Sequence, residues 1–282
     1  MSSQHSFYTR LNAAINQNNS LLCVGLDPMP ELFSARIATS SSPLYEFCVA
    51  IIDATADLVC TYKPQIAHFS AVGAESELLR VIQYIHEQYP LIPVILDAKR
   101  GDIGSTANYY AKEVFERYSA DAVTVNPYLG RESIQPYLEY TDRGTVILCR
   151  TSNPDSAWLQ NSPAGDPAYL PAYLKIAKAA LEWQKTADVL LVAGATYPEE
   201  ILAIRKAAPG VPLLIPGVGA QGGSLEKVMK AGLEGDRGLL INASRSILYA
   251  STDEDFASSA RLVASELRDE INEHRANLGS WT

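Results

Sequence analysis

The feature that most constrains the fold of this chain is an alternation of short apolar runs with longer amphipathic segments, almost from end to end. Eight runs have the length of strands and are rich in Val, Ile and Leu, without a polar residue at every second position. Such runs are typical of parallel strands that are buried on both faces. They occupy residues 21–27, 60–67, 92–98, 121–127, 144–150, 188–194, 211–217 and 238–244.

Helical patterns separate these runs. Apolar residues recur at positions i, i+3, i+4 and i+7 in segments 46–59, 75–89 and 108–118. Eight strands that alternate with helices over about 250 residues predict an α/β fold of the (β/α)8 class, a TIM barrel. An open doubly wound sheet is the alternative, although it usually has fewer strands. We therefore expect one barrel domain over residues 1–282.

Two connections are longer than the repeat requires. Segment 34–43 is expected to be a surface connection, and segment 151–171, after the fifth strand, is polar and rich in proline. Loops of this length in a compact domain are often lids or interface segments. A tolerated insertion is the other interpretation of segment 151–171.

Charge and composition exclude several classes of partner. Hydrophobic residues make up 47% of the chain and charged residues 20%, which is ordinary for a soluble globular protein. The net charge of −9 argues against a nucleic acid or an anionic membrane as partner. A phosphate-bearing ligand would therefore need a local cationic pocket.

The cysteines and histidines predict neither disulfides nor a metal site. The four cysteines are scattered without a C-x-x-C pair, which is typical of reduced, buried thiols in a cytoplasmic protein. The four histidines lie far apart without ligand spacing. The N-terminal residues have no apolar run of signal-peptide length, and no segment has the length of a membrane span. The cysteines are Cys23, Cys48, Cys60 and Cys149.

The segment ILDAKRGDIGSTA, residues 95–107, places four charged side chains at the end of the third strand. Strand alternation predicts that Asp97 and Lys99 point to the same side, at the C-terminal mouth of the barrel where active sites of this fold lie. Asp102 follows a glycine and can return to this region or project outwards. A salt-bridged rim is the simplest interpretation of the charges.

Electrostatics argues for a functional interpretation instead. Burying two carboxylates around an ammonium costs several kcal/mol in desolvation. Like charges at about 4 Å also repel by roughly 4 kcal/mol at an effective dielectric constant of 20. A chain that retains such a group at a strand end therefore indicates a site for chemistry.

Segment 95–107 resembles the signature of the orotidine 5′-phosphate decarboxylase family, in the bacterial group with D-A-K-R-G-D-I-G-x-T. Other segments resemble family motifs in the same order, each at a predicted strand end. The chain departs from the family pattern at Ser70, where many relatives have glutamate, and at Ser244, where glycine is common. The further matching segments are CVGLDP (23–28), YKPQIAHF (62–69), CRTSNPDS (149–156), PGVGAQGG (216–223) and INASRSI (241–247).

The resemblance implies decarboxylation of orotidine 5′-monophosphate to uridine 5′-monophosphate, the last step of de novo pyrimidine synthesis, without metal or organic cofactor. Lys99 is then expected to stabilise the carbanion at C6 and to protonate it. Asp97 is expected to lie against the leaving carboxylate, with Lys63 holding Asp97 and reaching the ribose hydroxyls. Asp102 is expected to complete an alternating array of lysines and aspartates.

Further roles follow from the same resemblance. Asp102 and Thr106 are expected to come from the neighbouring subunit, which makes the active unit a homodimer. Asp27 is expected to bind ribose hydroxyls and Ser152 the amide edge of the pyrimidine. The remaining substrate contacts implied are Ile103 and Pro216.

The residues alone leave simpler roles open for four of these positions. An ordinary lysine of the barrel rim is the less favoured interpretation of Lys63, and a buried carboxylate that closes a strand is the less favoured interpretation of Asp27. Ser152 can cap a turn, as can Asn126 after the fourth strand, which is a weaker candidate for the site.

A phosphate site is predicted after strands seven and eight. Glycines there permit close approach of the backbone, and the next helix presents N–H groups to an anion. Arg245 offers a planar, bidentate partner for phosphate, and Gln221 is placed to bridge the phosphate and O2 of the ring. The glycines are Gly217, Gly219, Gly222 and Gly223.

Two other functions remain to be distinguished. One is a magnesium-dependent lyase of the same superfamily, which shares D-x-K-x-x-D but needs additional acidic ligands where this chain has Lys63. The other is a non-catalytic barrel that binds a pyrimidine nucleotide. The array of Asp97, Lys99 and Asp102 argues against the second, because a binding protein gains little from adjacent like charges.

Overall fold

A computed structural model describes residues 6–162, 170–218, 222–235 and 238–279 of the chain. Eight parallel strands form one sheet in the order β2-β1-β8-β7-β6-β5-β4-β3. Parallel bridges from Tyr62 to Val94 and from Gln65 to Asp97 bring β2 against β3 and close the barrel. The strands are β1 (Leu22–Leu26), β2 (Thr61–Pro64), β3 (Ile95–Arg100), β4 (Ala122–Val125), β5 (Gly144–Arg150), β6 (Asp188–Ala193), β7 (Leu213–Pro216) and β8 (Leu239–Ala243).

Helices alternate with the strands, so the predicted (β/α)8 barrel is confirmed. The helices are α1 (Phe7–Asn18), α2 (Ala35–Ala38), α3 (Pro43–Thr55), α4 (Ile66–Ser70), α5 (Glu75–Gln88), α6 (Gly104–Lys112), α7 (Gln135–Leu138), α8 (Ala157–Gln160), α9 (Ala172–Trp183), α10 (Pro198–Ala207), α11 (Leu225–Gly232), α12 (Arg245–Leu248) and α13 (Phe256–Gly279). Among them, none has both the length and the apolar character needed to cross a membrane.

Two predicted strands, β2 and β3, have one bound that differs by three residues in the structure, whereas the other predicted bounds agree within two residues. β2 ends at Pro64 rather than at residue 67, because the side chain of Gln65 accepts the Ala67 N–H and starts α4. β3 starts later than predicted and continues to Arg100. Asp97, Lys99 and Arg100 therefore lie within the strand, and only Asp102 follows it.

The long connections contain short helices. Segment 34–43 includes α2, and the segment after β5 includes a turn of 3-10 helix at Pro154–Ser156 and then α8. Residues 163–169 of the predicted loop 151–171 lie outside the described residues. The four cysteines are buried free thiols, as predicted.

The bottom of the barrel is closed by α1, which leaves the C-terminal mouth as the open end. Phe7 is fully buried against Gly144, where a Cβ atom would lie 2.7 Å from the phenyl ring. The Asp121 carboxylate, 1% exposed, binds Arg10 and Arg143 at the same end. These contacts fill the base of the barrel, so its C-terminal mouth is the end at which a molecule can enter.

Candidate active site

A bulge in β3 presents the charged residues to the barrel mouth. β3 pairs with β4 through Leu96 and Val123, and next through Arg100 and Val125. Three residues of β3 therefore lie opposite a single residue of β4, Thr124. Within this bulge Lys99 has a φ of +46°, a conformation that costs a residue with a side chain about 1–3 kcal/mol. Bulges re-aim side chains near active sites.

Asp97 and Lys99 do meet, with Lys99 Nζ lying 2.6 Å from Oδ1 of Asp97. The reason that we gave from the sequence, regular strand alternation, is wrong, because the strand is not regular between the two residues. The bulge brings the lysine back towards the carboxylate.

The Asp97 carboxylate is bound on both oxygens. Lys63 Nζ lies 2.9 Å from Oδ2, and Thr124 Oγ1 donates to Oδ1 over 2.8 Å. The side chains of Lys63 and Asp97 are 6% and 10% exposed, whereas that of Lys99 is 49% exposed. Lys99 is therefore the member of the group that a molecule in the barrel mouth reaches most easily.

In this group, each charged side chain stabilises the charged form of its neighbour of opposite sign. Burial alone would raise the pKa of Asp97, but the ammonium groups of Lys63 and Lys99 hold it well below its ordinary value. Burial would likewise lower the pKa of Lys63, yet Asp97 and then Asp27 raise it above the ordinary lysine value. Asp97 and Lys63 are thus both charged at neutral pH.

A cleft of two adjoining chambers opens beside this group. The larger, of about 510 Å³, is lined by the Asp97 group, by Ser152 from the segment after β5 and by apolar side chains of the barrel. The smaller, of about 180 Å³, contains Asp27 and Arg245. The two chambers share Lys63, Asp97 and Pro216. The apolar side chains of the larger chamber include Leu148, Val192 and Leu214.

Asp27 lies in the smaller chamber at the end of β1. Its Oδ1 atom is buried and has no hydrogen-bond partner among the described residues. A buried carboxylate oxygen without a donor is costly. Asp27 thus provides an acceptor without a partner among the described residues, in a chamber that Lys63 and Arg245 also line.

The Arg150 side chain, whose role the sequence analysis missed, binds residues on both sides of Ser152 in the segment after β5. Arg150 is 1% exposed, pairs with Glu200 over 2.6 Å and packs against the ring of Tyr197. It also donates to Gln160 of α8 over 3.2 Å. This ion pair ties the segment that carries Ser152 to the start of α10. An arginine at the end of an otherwise apolar strand is the signal that indicates such a buried group.

The loops after β7 and β8 form the end of the smaller chamber. Gly217 and Gly222 have φ values of +95° and +80°, as expected for tight turns built from glycine. A Cβ atom at Gly223 would lie 2.8 Å from the Gly217 carbonyl oxygen. Arg245 lines the chamber as the first residue of α12. The predicted residues Gly219 and Gln221 lie outside the described residues.

The family departure at Ser244 has a structural counterpart in Gly25 of β1. A Cβ atom at position 25 would lie 1.9 Å from Oγ and 3.0 Å from Cβ of Ser244. Only glycine at position 25 leaves room for the serine side chain. The other departure, Ser70, lies exposed at the end of α4.

Three predicted site residues lie outside the cleft. Asp102 accepts the N–H of Ile103 over 2.8 Å and lines neither chamber. Ile103 is 51% exposed, and Thr106 lies on the exposed face of α6 beside Tyr109. Of the two orientations left open by the sequence, Asp102 takes the outward one.

Asn126 has the simpler of its two predicted roles. Its side chain accepts the N–H of Tyr128 over 3.0 Å and caps the turn of 3-10 helix at Pro127–Leu129. It does not line the two chambers of the cleft. The residue of this strand that does line the larger chamber is Thr124, which the sequence analysis did not single out. A threonine between two valines in a buried strand is a weak signal for such a role.

Comparison with known proteins points to one family. A model described as "Orotidine 5'-phosphate decarboxylase / HUMPS family" matches residues 20–260. The chain is 54% identical over 271 residues to an orotidine 5′-phosphate decarboxylase of Dechloromonas aromatica (strain RCB), covering 96% of this chain and 100% of the relative. A relative of the same name from Ralstonia pickettii (strain 12J) is also 54% identical over 271 residues, covering 95% of this chain and 99% of the relative.

Solved structures give the same picture. A putative orotidine-monophosphate-decarboxylase from Toxoplasma gondii superimposes with a TM-score of 0.87 at 36% identity, covering 98% of this chain and 99% of that chain. The OMP decarboxylase of Leishmania donovani superimposes with a TM-score of 0.83 at 38% identity, covering 96% of this chain and 99% of that chain. The likeness therefore extends over the whole barrel.

Proposed function

The chain belongs to the orotidine 5′-phosphate decarboxylase / HUMPS family, and on that premise we propose that it decarboxylates orotidine 5′-monophosphate to uridine 5′-monophosphate and CO2. This reaction is the last step of de novo pyrimidine synthesis. The observation that carries the proposal is the Asp97 carboxylate, bound between Lys63 and Lys99 beside a cleft of two chambers.

The chemistry requires such a group. Loss of CO2 from C6 of the pyrimidine leaves an anion that the ring π system does not delocalise, so the protein must stabilise the charge and supply a proton. Fixed charges in a site shielded from water do this without reorganising during the reaction. The buried Asp97–Lys63 pair keeps the second lysine, Lys99, fixed at the edge of the larger chamber.

Lys99 is the acid in this proposal. Its ammonium group stabilises the charge that develops at C6 and then transfers a proton to that carbon. Asp97 lies against the substrate carboxylate, disfavours it before reaction, and fixes Lys99. Lys63 neutralises Asp97 from the opposite oxygen and reaches towards the ribose.

The two chambers fit the two halves of the substrate. The pyrimidine occupies the larger chamber with its amide edge at Ser152, and the ribose hydroxyls bind the unpaired Oδ1 of Asp27. The phosphate lies against Arg245 and the glycine turns of the smaller chamber. Pro216 borders both halves, and Gly219 and Gln221 complete the phosphate end as the sequence predicts.

A second protomer completes the site in this proposal. Asp102 and Thr106 lie outside the cleft of their own protomer, and Ile103 and Tyr109 beside them are 51% and 74% exposed. Apolar side chains this exposed favour a covered surface. We infer a homodimer in which Asp102, Ile103 and Thr106 reach the substrate of the partner subunit.

Incubation of the purified protein with orotidine 5′-monophosphate tests the function. We expect stoichiometric release of CO2 and uridine 5′-monophosphate, followed by gas capture and by the absorbance change of the base, and the same rate in the presence of EDTA. Loss of activity with EDTA would favour the magnesium-dependent lyase. Tight binding of the nucleotide without turnover would favour the non-catalytic barrel.

A further inference from the structure

The bulge in β3 leaves two backbone N–H groups outside the regular ladder between β3 and β4. These groups belong to Ala98 and Lys99. Both donate to the same side-chain atom, Oγ1 of Thr124, over 3.0 Å and 2.9 Å. The threonine side chain thus replaces the partners that a regular parallel ladder supplies.

The hydrogen-bond directions at Thr124 are fixed by chemistry. An ionised carboxylate only accepts and a backbone N–H only donates. The hydroxyl proton must therefore point to Oδ1 of Asp97, 2.8 Å away, and the oxygen accepts from Ala98 and Lys99. One donor and two acceptor sites are the full capacity of a hydroxyl, so none remains to bind a ligand.

These contacts connect the two ends of the Asp97–Lys99 ion pair. Thr124 holds the carboxylate of Asp97 and the main chain of Lys99, which has a φ of +46°. Thr124 is itself 1% exposed, and its strand pairs on both sides in the barrel. Lys99 is therefore positioned by a buried residue of a strand that is paired on both sides.

We propose that Thr124 is a positioning residue, whose hydroxyl sets the geometry between the Asp97 carboxylate and the Lys99 ammonium. The proposal rests on the decarboxylase function proposed above. Thr124 acts through Asp97 and Lys99 and makes no hydrogen bond to the substrate. Its loss therefore slows the chemical step and leaves substrate binding almost unchanged.

The test compares Thr124→Val, which keeps the shape and removes the hydroxyl, with Thr124→Ser, which keeps the hydroxyl. We expect Thr124→Val to lower kcat by about 100-fold, the cost of a small misplacement of a catalytic group, and to leave KM within about threefold of the wild type. Thr124→Ser restores most of kcat.

Thr145 of β5 provides a matched control. It is fully buried, and its Oγ1 has no hydrogen-bond partner among the described residues. It is paired in register with Val123, the residue before Thr124. Thr145→Val should therefore keep the wild-type kcat and KM. The same loss of kcat in Thr145→Val would show that any polar-to-apolar change in this part of the barrel suffices, and it would overturn the proposal.

The remaining outcomes are also decisive. Wild-type kcat in Thr124→Val, a rise in KM alone, or a Thr124→Ser variant as slow as Thr124→Val would each overturn the positioning role. If Thr124→Val does not fold, Thr124→Ala is compared with Thr124→Ser, and equal kcat values contradict the role. An inactive wild type would instead refute the proposed function, which separates the two failures.

Discussion

Lys63 and Asp97 form an ion pair of 2.9 Å between neighbouring strands of the barrel, and both side chains are almost completely buried. Burial of two charges costs several kcal/mol per ion unless the pairing is good and the remaining hydrogen-bonding capacity is satisfied. Lys99 and Thr124 supply this second requirement at the other oxygen of Asp97. The charges are therefore held in position by the fold before any substrate binds.

Replacement of Lys99 tests the proton donor. Lys99→Ala should lower kcat by about 10⁴-fold or more, since it removes the group that we propose both stabilises the charge at C6 and acts as the general acid. Because Lys99 also stabilises the charge of the buried Asp97 carboxylate, the variant should have a lower melting temperature but remain folded at the assay temperature. Steady-state kinetics and thermal unfolding measure the two effects. Lys99→Arg keeps the charge but is a poor acid, and activity near the wild-type level in either variant would contradict the assigned role.

The phosphate end predicts a different kinetic signature. Arg245→Ala should raise KM by about 100-fold, because it removes the proposed charge-assisted, bidentate contact to phosphate. Arg36→Ala is the control, since Arg36 is an exposed surface arginine paired with Glu254. Initial rates at varied substrate concentration separate KM from kcat. A KM of the Arg245 variant equal to that of the control would refute the phosphate assignment.

The barrel and the chemical groups of the cleft are predictable from the sequence for physical reasons. Buried parallel strands require continuous apolar runs, and the carboxyl ends of such strands meet at one mouth. Asp27, Lys63 and Asp97 follow or end such runs, and the structure brings all three to the smaller chamber. Position along the chain was sufficient to place these residues at the mouth, whereas the roles expected of Asp27 and Lys63 came from the family resemblance.

Thr124 and Arg150 were not predictable because their roles depend on pairing across the barrel. The importance of Thr124 arises from a register shift between β3 and β4, which a single sequence does not reveal. Arg150 pairs with Glu200, 50 positions further along the chain. A sequence pattern shows which residue types are present but does not show which of them pair in the folded barrel.

Gly25 and Ser244 predict a coupling between β1 and the start of α12. Gly25→Ala should destabilise the protein by about 1–3 kcal/mol, the cost of overpacking, because the new Cβ atom lies 3.0 Å from Cβ of Ser244. Ser244→Gly in the same protein should recover most of this loss. Urea unfolding of the two single variants and the double variant gives the coupling energy. Additive effects of the two substitutions would show that the residues do not interact.

A shared active site predicts complementation between inactive variants. Lys99→Ala and Asp102→Ala should each be inactive alone. If Asp102 acts in the partner subunit, mixed dimers contain one site with both residues intact. Random mixing of equal amounts should then restore up to about a quarter of the wild-type activity, given two-fold symmetry. Dissociation and reassociation of the mixture, followed by an activity assay, measures this. No recovery despite confirmed exchange of subunits would place Asp102 in the site of its own chain.

The buried ion pair predicts a specific dependence of stability on pH. Lys63 and Lys99 hold the pKa of Asp97 below its ordinary value in the folded protein. The unfolded chain has the ordinary value of about 3.9. A group with a depressed folded pKa contributes stability above its unfolded pKa, and this contribution is lost as pH falls towards the folded value.

Asp97→Asn isolates this contribution, because the other carboxylates are common to both proteins. At pH 7 the variant should be less stable by about 3 kcal/mol, since Lys63 stays buried without its partner. The difference should stay constant down to about pH 5 and then shrink by up to about 1.4 kcal/mol per pH unit below pH 4. Urea unfolding of both proteins between pH 7 and pH 3 measures it. A difference that stays the same across this range would mean that Asp97 has an ordinary pKa in the folded protein and that the lysines do not stabilise its charge.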